Sequence, residues 1–174
     1  MSAFAATTAW LAGELFEARL VMTYGLASLG AGLALWRLGP TPAAKALGLP
    51  LLLAGLVYLG VGVSMQVTNR QRQPVFAQQF QQDARQFIAA EKQRVEGFPA
   101  LYRSSKIVAT VCFLFALGAF WLSRSVSLHG WGLGLALFAV VGLAVDYFSE
   151  ERAATYYQAL TQAESSAGPG GVVE

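Results

Sequence analysis

Four stretches of this chain carry no charged residue: 20–36, 46–69, 107–123 and 125–145, with 17, 24, 17 and 21 residues. A helix needs roughly 20 residues, in a range of about 17 to 25, to cross the hydrocarbon of a bilayer. The sequence therefore predicts four transmembrane helices over these stretches. The two shorter ones are flanked by Arg19, Trp36, Lys106 and Trp121, side chains that snorkel or anchor at the membrane interface. A buried soluble bundle would need polar faces at a period of about 3.6, and these runs show none. Composition agrees: 13% of residues are charged and 55% are apolar, whereas a soluble domain carries about 25% charged residues. The net charge of +2 is too weak to imply a nucleic-acid partner.

The fold class expected is all-α, a four-transmembrane-helix bundle of two helical hairpins with cytoplasmic helical extensions, forming a single membrane domain over 1–165. With four spans, both termini and the middle loop share one side. That side holds Arg19, Arg70, Arg72, Arg85, Lys92, Arg94, Arg103, Lys106 and Arg152, against Arg37, Lys45 and Arg124 on the other. The bias toward basic residues on the inner side predicts a multi-pass protein of the inner (cytoplasmic) membrane with both termini in the cytoplasm. The start MSAFAATTAW lacks a basic n-region, and Glu14 and Glu17 interrupt it. It does not read as a cleavable signal peptide, so the first span is expected to be retained.

Between the second and third spans, Pro74 suits the first turn of a helix. Phe76, Phe80, Ala84, Phe87, Ile88 and Val95 then recur at helical spacing among glutamines, which predicts an amphipathic helix over 74–96. Gly97 and Pro99 should end it. The fourth span is expected to continue as a helical extension over 146–163, followed by a disordered tail over 166–174. Phe148, Tyr156, Tyr157 and Leu160 give this extension an aromatic side, and the two cytoplasmic helices are expected to pack on each other. The alternatives are a stripe lying on lipid and a groove for a partner protein, with Phe76, Phe80, Phe87, Tyr156 and Tyr157 as the partner-binding residues. A faint repeat relates LGAGLALWR to LGAFWLSR and suggests two hairpins of like orientation, the second helix of each running on into the cytoplasm.

Few residues here could carry chemistry. Glu14 and Glu17 share a helical face and are expected to form ion pairs with Arg19, Arg70 or Arg72 rather than bind metal, since four-helix carboxylate sites add Glu-x-x-His motifs and the chain has one histidine. His129 reads as an interfacial side chain and Cys112 as a small buried one. Asp146 marks the inner end of the fourth span and is expected to pair with Lys106 or Arg103. Ser28 with Gly32, and Gly130 with Gly134, are spaced for close helix approach, and Gly55, Gly60 and Gly62 add a small-residue stripe. No nucleotide, zinc or serine-hydrolase motif is present, and no cofactor or metal is expected.

These features predict a non-enzymatic membrane protein that contacts the lipid bilayer and works through a protein partner. Its concrete forms would be an immunity protein against a membrane-active toxin or an accessory subunit of a membrane complex. The alternative is a homo-oligomeric channel or transport component. An enzyme would require Glu14, Glu17, Asp146 and Glu150 to converge on one pocket.

Overall fold

In the computed structural model, which describes residues 2–166, nearly every residue is helical. The helices are α1 (Ala3–Leu38), α2 (Pro42–Gln82), α3 (Ala84–Glu96), α4 (Phe98–Leu122) and α5 (Val126–Ser166). Four apolar segments are long enough to cross a membrane, one each in α1, α2, α4 and α5. Along them, large apolar side chains point outward, among them Leu26, Leu33, Leu56, Leu114, Leu117 and Val140. Contiguous exposed apolar surface on this scale suits lipid rather than water. The protein is an all-α four-helix membrane protein.

The helices also run well beyond the bilayer. At about 1.5 Å per residue, the 41 residues of α2 and of α5 each span roughly 60 Å, about twice the hydrocarbon thickness. The overhanging ends gather on one side with α3 and the N-terminal half of α1, and there they form a helical head. Its core comprises Ala3, Ala6, Trp10, Leu11, Phe76, Phe87, Ile88, Val95, Ala153, Tyr156 and Leu160. The far ends of the helices are joined by short turns at 39–41 and 123–125.

Inside the membrane region, α1 and α2 pack through small residues repeating every seven positions. Ala18, Gly25 and Gly32 on α1 face Gly62, Gly55 and Gly48 on α2. A Cβ added to Gly25 would lie 2.6 Å from the Leu59 backbone nitrogen, and one on Gly32 would lie 2.8 Å from the Gly48 carbonyl oxygen. Backbones this close bring the Ser28 hydroxyl within 2.9 Å of the Leu51 carbonyl, to which it donates. The second hairpin joins the first through α5: Gly130 abuts Ala46, and Gly134 abuts Pro50. Tyr58 clamps the same seam by donating to the Phe138 carbonyl at 2.6 Å. Gly60 meets nothing within 4 Å, so it does not belong to the small-residue stripe expected for the second span.

Two boundaries differ from expectation. The amphipathic helix does not begin at Pro74, because α2 passes through Pro50 and Pro74 without interruption. The break falls at Asp83, which closes α2 by donating its N–H to the Gln79 carbonyl and caps α3 by accepting from the Arg85 and Gln86 amides, both at 3.0 Å. A side chain that satisfies the orphan amides of a new helix is a stronger stop signal than a proline in a helix whose following turn is held by packing, as Phe76 is here. At the other end, helix continues through Ser166, the first residue of the expected tail, and the rest of 166–174 lies outside the described residues.

Candidate functional site

Of the polar residues that sequence reading singled out, Glu14 and Glu17 come together where the head meets the membrane region. On α1, Ala3, Thr7, Trp10, Glu14, Glu17 and Val21 follow the alternating four-and-three spacing that keeps one face turned inward. Glu14 and Glu17 thus occupy core positions, with side chains only 13% and 7% exposed. Arg152 on α5 reaches across to both, contacting Glu14 at 3.2 Å and Glu17 more closely. Ser149, one turn earlier, donates to Glu17 at 3.2 Å. The expected partners of these carboxylates, Arg19, Arg70 and Arg72, are therefore replaced by Arg152. The reason is the head itself: it brings α5 against α1, while the Arg72 guanidinium contacts Asn69.

Burial, together with the neighbouring Glu17 charge, raises the Glu14 pKa against the opposing influence of Arg152. For Arg152, burial disfavours the charged form, yet the hydrogen bonds and charges of Glu17 and Glu14 outweigh it and hold the guanidinium protonated. Tyr102 lies close enough for both glutamates to act on it, and mainly through burial its pKa is raised to about 12.

A second buried pair lies one layer deeper in the head. Glu91 and Arg94 on α3 bond in bidentate fashion, at 2.9 and 2.5 Å. The Tyr156 hydroxyl donates to Glu91 at 3.0 Å and touches the Thr7 hydroxyl at the same distance. Burial pushes the Tyr156 pKa up, so the phenol stays a donor. The Arg94 guanidinium lies over Trp10 at 4.5 Å, Phe98 at 5.2 Å and Phe76 at 5.6 Å. One cation from α3 thus touches rings from α1, α2 and α4. Toward the rim, Lys92 pairs with Glu164 and Tyr157 donates to Glu96 at 2.7 Å.

The residues expected to bind a partner stand differently. Phe76, Phe87 and Tyr156 are 8%, 4% and 3% exposed, and Phe80 and Tyr157 pack against the same cluster. Their stripe packs against α1 and α5. The N-terminal segment that completes this core was the element missed in the sequence, although Ala3, Ala6, Thr7, Trp10 and Leu11 carry the spacing of an inward face. Beside it, a groove of about 350 Å³ runs between α1 and α5, with Trp10, Phe148, Arg152 and Tyr156 in its walls.

Asp146 is also corrected. Lys106 bonds Glu150 at 2.8 Å, and neither Lys106 nor Arg103 pairs with Asp146. Glu150 is about one turn further along α5 than the sequence-based pairing assumed, at a level where the ammonium can stay solvated. Asp146 instead lines a cleft of about 240 Å³ between α2 and α4, and its Oδ2 is buried without a hydrogen-bond partner. Arg70 meets Gln66 of its own helix, whose amide oxygen accepts from it at 3.0 Å in the orientation that satisfies both groups. At the opposite end of the bundle, His129 contacts the Ser123 carbonyl through Nε2 at 2.8 Å and stacks on Phe120. Cys112 is buried against α5.

Chemically, the ionic layer joins helices: it sets α1 and α3 on α5 by charge-assisted bonds in a partly dry setting. Among the described residues, no group of three His, Cys, Asp or Glu side chains is placed to hold a metal ion. Glu150, held by Lys106, does not join Glu14 and Glu17. No protein-family model, curated protein or solved structure matches this chain.

Proposed function

We propose that the chain is a non-enzymatic protein of a bacterial inner membrane, with its head in the cytoplasm, that works by binding another membrane protein alongside α4. One observation carries this reading. α4 rests chiefly on α5, while α2 packs against both α1 and α5. The α4 span is 17% buried, against 22% for α5, 28% for α1 and 39% for α2. A helix so weakly held by its own bundle has a long apolar face free for another helix, and van der Waals packing between helices drives such association in lipid. The excess of basic residues on the head side supports the orientation, and an immunity protein or an accessory subunit are its two concrete forms.

A photo-crosslinking residue placed at Leu114 or Leu117 in living cells should yield one discrete protein adduct. The same residue at Leu26 or Leu33 on α1 should not. If α4 labels only lipid, as α1 does, the reading is wrong. An adduct between two copies of this chain would favour the homo-oligomeric alternative. Reporter fusions after Gln82 should be active in the cytoplasm, and periplasmic activity would overturn the orientation.

A further inference from the structure

We propose that the cleft between α2 and α4 is a binding site for one phospholipid with a primary-amine headgroup, taken from the leaflet on the head side. The two hairpins meet through α2 and α5, and the space left between α2 and α4 is floored by α5. Its walls are mostly apolar, from Val57, Val61, Val108, Phe138 and Leu143; the Tyr58 hydroxyl among them is bonded to the Phe138 carbonyl, and at the end nearest the head stand Ser105 and Asp146. From Phe138 to Asp146 is eight residues of helix, about 12 Å along the bilayer normal. The cleft therefore has the shape of an amphiphile: a narrow apolar slot closed at the membrane boundary by a carboxylate.

The second observation is the state of that carboxylate. Buried polar atoms in native structures are almost always hydrogen-bonded, and Asp146 Oδ2 is not. Lys106 on α4, the partner expected for it, is engaged by Glu150, and the Tyr58 hydroxyl is used on the Phe138 carbonyl. A donor, favourably a cation, satisfies such an oxygen, and the apolar slot below it suits a donor attached to something apolar. An ammonium headgroup above an acyl chain meets both requirements, and its N–H groups can donate where a quaternary ammonium cannot.

The test is native mass spectrometry of the full chain in a mild maltoside detergent, titrated in turn with phosphatidylethanolamine, phosphatidylglycerol and phosphatidylcholine of identical acyl chains. The protein should retain one phosphatidylethanolamine in preference to either other lipid by about tenfold, as one charge-assisted hydrogen bond implies. Asp146→Asn should abolish that preference. Val108→Phe, which fills the slot from a lipid-exposed position and leaves the carboxylate in place, should lower retention of all three lipids. Equal retention of the three by the unaltered protein would overturn the assignment, as would an undiminished preference in Asp146→Asn. Thermal unfolding of each variant separates loss of the site from loss of the fold.

Discussion

Replacing Arg152 with methionine should destabilise the protein by about 3–5 kcal/mol, the range for removing one partner of a buried ion pair. The guanidinium stands between two carboxylates that are largely withdrawn from water. At the 3.2 Å Glu14 contact, the gross attraction is about 5 kcal/mol at an effective dielectric near 20. Part of this is offset by the burial of Arg152 itself, which remains 29% exposed. Methionine keeps the stem volume and removes the charge, leaving Glu14 and Glu17 facing each other without a cation.

Glu14→Gln should behave differently at neutral pH, changing stability by less than about 1 kcal/mol or raising it. Burial, first among the causes, raises the Glu14 pKa above its ordinary value of 4.5. A carboxyl with a raised folded-state pKa favours folding below its unfolded pKa, and that contribution is lost as pH rises through the folded value. The neutral amide removes this cost while Arg152 keeps Glu17. The triple variant Glu14→Gln, Glu17→Gln, Arg152→Met should return to within about 2 kcal/mol of the unaltered protein, because no charge is then left unpaired. Reversible unfolding in mixed detergent and dodecyl sulfate micelles, followed by tryptophan fluorescence, measures all three. An Arg152→Met protein within about 1 kcal/mol of the parent at neutral pH would refute the reasoning, as would one whose deficit fails to shrink on acidification.

Other substitutions probe the remaining contacts. Gly25→Val places a branched side chain where a Cβ alone would lie 2.6 Å from the Leu59 nitrogen, and it should cost about 2–4 kcal/mol in the same unfolding assay. Gly60→Ala, which meets nothing within 4 Å, should stay within about 0.5 kcal/mol of the parent. Tyr58→Phe removes the bond to the Phe138 carbonyl and should lose about 1 kcal/mol, with double-cysteine crosslinking between α2 and α5 showing looser contact. Arg94→Gln leaves Glu91 buried without its cation and should cost about 3 kcal/mol, with Trp10 emission shifted to the red.

Most of the membrane part was legible because a charge in hydrocarbon is costly, so the gaps between charges mark the spans. The head was harder to read. The stripe on Phe76, Phe87 and Val95 stands out among glutamines, but the matching stripe at Ala3, Thr7 and Trp10 is built of small residues with little contrast. Pro74 misled because a proline is a local signal, whereas the continuity of α2 is decided by packing around Phe76. Arg152 lies 135 residues from Glu17, and no spacing rule connects positions so far apart. Glycine pairing between α1 and α2 had a sequence signature in the sevenfold repeat, yet only the fold tells Gly55 and Gly62, at the seam, from Gly60, which faces away.

The two 41-residue rods have a mechanical consequence. Because α2 and α5 run as continuous helices from the far turns to the head, the membrane region and the head share both shafts. A change of about 5° in the tilt of such a rod displaces its far end by about 5 Å over 60 Å. Shear between the hairpins therefore has a direct route across the bilayer surface, and the arginine–glutamate layer sits where α5 crosses from the membrane region into the head.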